Sequence, residues 1–147
     1  MTDSGTIALD VALVHVGIAR SLVQRNEPGE PPPEWALKAG KEKNANLSLR
    51  GRDSEHFIAQ VDVEVAKNDI YSTVTVHGLY RIHQDGKALR GANGNPLLVL
   101  APAVHKQLAA SAMDDLYPFA RAIVHEATSK VASTDGILLA PQQFELR

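Results

Sequence analysis

Histidine is the side chain that most often supplies a metal ligand or a general base near neutral pH, and this chain has six: His15, His56, His77, His83, His105 and His125. His77 and His83 fall on one face of a candidate strand, because an even separation keeps side chains on the same side. No carboxylate follows them at metal-ligand spacing, and the nearest acid is Asp85. His125-Glu126 lacks the second histidine, one helical turn on, that a zinc-protease helix needs. Nucleophile chemistry is no better served, since there is no Gly-x-Ser-x-Gly elbow and no cysteine. The run Gly91-Ala92-Asn93-Gly94-Asn95 lacks the lysine and the serine or threonine of a phosphate loop and reads as a turn. Asp62 and Glu64 sit on the wet side of an alternating strand, where solvation accounts for them. The residue types therefore point to no catalytic group, no metal site and no cofactor, and so to a protein that is not an enzyme.

The elements that carry these residues are legible from their periodicity. Ile7, Leu9, Val11 and Leu13 alternate with small or polar residues as in a strand, and the apolar phase then switches to Val14, Val16 and Ile18, which predicts a bulge near Gly17. Residues 26–43 form a proline-rich connection with Pro28, Pro31, Pro32, Pro33 and the only tryptophan, Trp35. A loop of this length is usually functional or disordered, and a lone tryptophan in it most simply plugs the loop onto the core. Leu47 and Leu49 open a second, short strand that ends in the charged turn from Arg50 to Glu55. The third strand is the clearest: Phe57, Ala59, Val61, Val63 and Val65 alternate with Gln60, Asp62 and Glu64. Val74, Val76, Tyr80 and Ile82 mark one face of a fourth strand, and Thr73, Thr75, His77 and Arg81 the other. Asn68-Asp69 predicts a hairpin between strands three and four.

From Pro96 to residue 134 the chain reads as helical. Leu108, Ala112, Leu116, Phe119, Ile123, Ala127 and Val131 recur at steps of three and four and predict one buried stripe. Pro118 interrupts that stripe; it removes a backbone donor and crowds the preceding turn, so the helix is expected to kink or restart there, with Asp114 and Asp115 as acidic caps. The expected fold is α+β: a four-stranded antiparallel sheet, then a long kinked helix packed on one side. A chain of 147 residues suits one domain spanning 1–147. The hydrophobic share of 44% and charged share of 22% are those of an ordinary soluble protein, and a net charge of −2 offers no electrostatic case for nucleic acid. No apolar run reaches membrane-spanning length and no export signal is visible, so a cytoplasmic location without membrane insertion is expected.

Two motifs, Tyr117-Pro118-Phe119-Ala120-Arg121 and Leu139-Ala140-Pro141-x-x-Phe144, resemble elements of the SecB-like chaperone family, which includes the bacterial export chaperone SecB and relatives linked to toxin-antitoxin systems. The family carries an aromatic-Pro-aromatic-Ala-Arg element in its helix and a Leu-Ala-Pro-x-x-Phe element beyond it. It also has a tryptophan-bearing loop between its first two strands, where Trp35 stands. The resemblance implies an ATP-independent holdase that keeps unfolded polypeptide clients in an apolar groove, assembled as a homotetramer built from two dimers. It further implies client-binding roles for Trp35, Leu47, Leu49 and Phe144, and structural or oligomer-interface roles for Tyr117, Pro118, Phe119 and Arg121, with the first strand also in oligomer contacts. SecB continues past the phenylalanine into a second helix and an acidic tail that engages the export ATPase SecA, whereas this sequence stops at Glu145-Leu146-Arg147. Its strand acids Asp62 and Glu64 are also interrupted by His77 and Arg81. A dedicated client such as an antitoxin is therefore the more attractive expectation than delivery to SecA. The competing expectation is a small-ligand-binding or enzymatic α+β domain with a pocket between helix and sheet, dependent on His77 or Arg81.

Overall fold

The computed structural model describes residues 9–36 and 43–131, and the backbone of 145–146. Strand β1 runs Leu9–Arg25, β2 Lys43–Asp53, β3 His56–Lys67 and β4 Ile70–Gln84. The helix α1 spans Pro102–Val131, and a two-residue strand β5 covers Glu145–Leu146. The sheet order is β1-β4-β3-β2-β5. The three neighbouring pairs among the first four strands are antiparallel, and β5 joins β2 in parallel. The first strand thus crosses over to flank the fourth, and residues 26–42 span that crossover.

Alternation decides the faces. Phe57, Ala59, Val61, Val63 and Val65 are buried along β3, opposite Tyr80, Gly78, Val76, Val74 and Ser72 of β4. Asn68 (φ 54°) and Asp69 (φ 64°) both sit in the left-handed region between these strands, the backbone a two-residue type I′ hairpin demands and that Asn and Asp tolerate. The expected phase switch in β1 is present. The strand has two irregularities in register, one between Leu13 and His15 and one between Ile18 and Arg20, flanking Gly17 on either side. Each extra residue turns the side-chain sequence over, so Val11 and Leu13 share the helix-covered face with Val16 and Ile18.

The helix lies on that face. Its buried residues are Leu108, Ala112, Leu116, Ala120, Val124 and Thr128, with Ala109, Met113 and Tyr117 beside them. The expected stripe is therefore corrected at Phe119, while Ile123 and Ala127 on the same expected row are half-buried. The buried row keeps strict steps of four, which leaves Phe119 48% exposed. Small side chains on the row let the helix approach: a Cβ on Gly78 would stand 2.9 Å from Leu116 Cδ2 and from Tyr80 Cε2. The expected restart at Pro118 is also corrected, because α1 continues without a break through it. Pro118 and Asp114, whose carbonyl loses its donor, are both exposed, so water can satisfy that carbonyl. Arg25 Nη1 donates to the carbonyl of Val131 at 3.1 Å, tying the end of β1 to the last turn of the helix.

Before the helix, Asn95 caps a short 3-10 turn, Pro96–Val99, by accepting from the Leu97 N–H. The helical segment expected over 96–134 is thus this turn followed by α1, and residues 132–134 lie outside the described residues. The second strand is longer than expected, since Arg50 to Asp53 continue the ladder with β3.

Candidate functional site

β1 and α1 run side by side in the same direction and do not close on each other. Leu9–Leu13 face the first half of the helix, Val16–Ile18 face Pro118–Ile123, and Arg25 meets Val131. Two hollows lie along this crevice. The one toward the helix C-terminus has a volume of about 570 Å³ and is walled by Val16, Ile18, Val76, Phe119 and Ile123, with Pro118 and Ala122 on the rim. Every side chain that lines it is apolar. The other, about 370 Å³, lies between Leu9–Leu13, Phe57 and Tyr80 on the sheet and Val104–Asp115 on the helix.

The outer edge of the crevice is β1 itself, which has β4 on one side and, among the described residues, no strand on the other. Its 17 residues give an unpaired edge of about 55 Å. Along it Val14 is 54% and Ile18 60% exposed, and Ile18 lines the same hollow as the exposed ring of Phe119. A monomer rarely leaves an aliphatic row, an aromatic ring and a strand edge uncovered together.

The opposite sheet face is polar. Thr75 Oγ1 donates to Asp62 Oδ1 at 2.7 Å, Gln60 Nε2 donates to both Asp62 oxygens, and Gln60 Oε1 accepts from Arg50 and meets His77 Nε2 at 2.9 Å. Burial, reinforced by the Arg50 charge, lowers the His77 pKa, while Asp62 opposes the shift. His83 pairs with Glu55 and His56 with Asp53, each at 2.8 Å. The Asp53 pKa is held below its usual range by the Glu55 N–H and by His56. Among the described residues no three histidine or carboxylate groups converge to hold a metal. His77 and Arg81 lie on this polar face, so a pocket between helix and sheet cannot use them.

The other expected site residues are dispersed. Trp35 is half-buried in the 3-10 turn Glu34–Ala36, which packs near β4. Leu47 is fully buried, paired with Val61 under the helix-covered face, so its expected place on an open groove floor is corrected: in this chain it is core. Leu49 is partly buried against the same core. Phe144 lies outside the described residues. Within the helix motif, Tyr117 and Ala120 face inward, while Pro118 and Phe119 face out to the crevice. Burial raises the Tyr117 pKa, opposed by the charge of Arg121, whose buried Nε has no hydrogen-bond partner among the described residues. Periodicity missed Asn26. Buried where β1 ends, it donates from its backbone to the Asp69 carbonyl at 2.8 Å and from Nδ2 to the Pro31 carbonyl at 2.7 Å, fastening the start of the long connection to the β3–β4 hairpin.

No family model and no curated protein matches the chain in sequence. Solved structures do match in shape. A SecB-like chaperone from Mycobacterium tuberculosis, in complex with a ChAD peptide from the HigA1 antitoxin, superposes with a TM-score of 0.58 at 12% identity, over 90% of this chain and 88% of that one. A protein of unknown function from Streptococcus agalactiae matches with a TM-score of 0.53 at 12% identity, over 90% and 98%. The chain therefore has the SecB-like α+β fold, with its antiparallel sheet and single long helix. Among the described residues no helix is long and apolar enough to cross a membrane.

Proposed function

We propose that this chain is an ATP-independent cytoplasmic holdase that self-associates and binds extended, apolar polypeptide, with an antitoxin-like segment as the class of dedicated client. The observation that carries this reading is the uncovered apolar strip of Ile18 and Phe119 beside the edge of β1, which no other described strand pairs. Such a surface is made to take another polypeptide. We assign the strip, with Pro118 and the inward-facing Tyr117 and Arg121 that orient it, to association between copies, as a dimer or a tetramer. We assign client binding to Trp35, Leu49 and Phe144. The likeness to a fold solved with an antitoxin peptide supports a polypeptide client.

Suppression of aggregation of an unfolded client without ATP, measured alongside native mass, tests the reading. Trp35→Ala should keep the oligomer and weaken client holding by about tenfold, as loss of a buried aromatic anchor does. A monomeric chain that leaves the client to aggregate would refute the proposal. An oligomer in which Trp35→Ala holds client as well as the parent does would remove Trp35 from the site.

A further inference from the structure

We propose that the smaller hollow, between Tyr80 and the first half of α1, binds a primary ammonium group carried on an apolar stem, with Asp115 as its counter-ion. Gln107, Ser111 and Asp115 recur at steps of four, so they form one polar row down the helix, and all three line the hollow. Leu9, Val11 and Leu13 of β1 face that row. The hollow thus has aliphatic side chains on both sides, Leu9, Val11 and Leu13 on the strand and Val104 and Leu108 on the helix, with the exposed row of Gln107, Ser111 and the Asp115 carboxylate along its helix rim. This is the division that an alkylammonium group needs, its stem against hydrocarbon and its head against oxygen.

Two details narrow the class. Tyr80 stacks on Phe57 with ring centroids 5.1 Å apart, and its hydroxyl donates to Asp115 Oδ2 at 2.9 Å. Burial, that hydrogen bond and the carboxylate charge all raise the Tyr80 pKa, so the hydroxyl stays a donor and the carboxylate stays fixed. The ion pairs among the described residues, His56–Asp53, His83–Glu55 and Lys130–Glu126, leave Asp115 without a cation. With Oδ2 engaged by Tyr80, the carboxylate offers one oxygen squarely. That suits the single-point contact of an ammonium better than the paired contact of a guanidinium. The remaining ammonium protons have Ser111 Oγ and the Gln107 amide oxygen within the same row as acceptors.

The ammonium can come from a lysine side chain of a bound polypeptide or from a free alkylamine, and the lysine source rests on the chaperone reading above. The test is a titration with hexylammonium and with hexan-1-ol, followed by the amide signals of Ser111 and Asp115 and the ring signals of Tyr80. Hexylammonium should bind about tenfold more tightly than the alcohol, a preference that Asp115→Asn should abolish while keeping an acceptor for Tyr80. Equal binding of the two compounds by the parent protein, which needs no variant to fold, would overturn the proposal. So would a preference that survives in Asp115→Asn. A second arm compares two otherwise identical unfolded peptides bearing lysine or methionine. Tighter binding of the lysine peptide, lost in Asp115→Asn, assigns the site to polypeptide. A hexylammonium preference without any difference between the peptides assigns it to free amines, and the chaperone reading is then judged by its aggregation assay alone.

Discussion

Single side chains set how closely the layers of this protein approach. Gly78 is the tightest case, because a methyl there would meet Leu116 and Tyr80 inside van der Waals contact. Gly78→Ala should cost about 1–3 kcal/mol, read as a lower denaturant midpoint with an unchanged slope. His77 sets a pH dependence. Its folded pKa lies below the unfolded value, so the unfolded chain takes up the proton first as the pH falls. Its contribution is intact above about pH 6.5 and is lost progressively below that. Thermal melts from pH 7.5 to 5.5 should show stability falling with acid, and His77→Gln should flatten that limb. Histidine spacing alone could not reveal this, since the shift comes from burial in a cross-strand network and from Arg50 on β2.

At the scale of elements, strand periodicity was the most legible signal, because a buried face writes itself every second residue. Phe57 to Val65 and Val74 to Ile82 carried the pairing of β3 with β4, and the phase switch after Leu13 announced a bulged strand. The helix was harder to read. Phe119 looks like core by its type, yet the true row continues through Ala120, Val124 and Thr128, smaller residues that are fully buried. The crevice was illegible for the same reason, since it arises where the helix turns Phe119 away from the sheet. Pro118 stands in the continuous helix at an exposed position, so Pro118→Ala should restore the missing backbone bond. The gain should be about 1–3 kcal/mol in denaturant unfolding. A lower midpoint would mean that the proline ring contributes packing worth more than the hydrogen bond.

Across the whole molecule, the apolar strip ties stability to association. Ile18→Lys or Phe119→Asp should give a smaller species by light scattering at an unchanged secondary-structure content, because both side chains are largely exposed in the folded chain. At a fixed protein concentration the parent should melt higher than either variant, and its midpoint should rise with concentration as theirs does not. The two long sides of the sheet are not equivalent in this respect. Among the described residues β1 has no strand beyond it, whereas β2 is already occupied at Asn46 and Leu47 by Glu145 and Leu146. The two sides therefore differ in the ladder they can offer a second copy: 17 residues along β1, against a β2 edge interrupted at Asn46 and Leu47. Edge-to-edge joining through β1 gives the longer ladder, so a pair joined there is the expected first assembly. The two-residue strand Glu145–Leu146 breaks the register that an incoming strand would need on the other side, and so biases growth away from it.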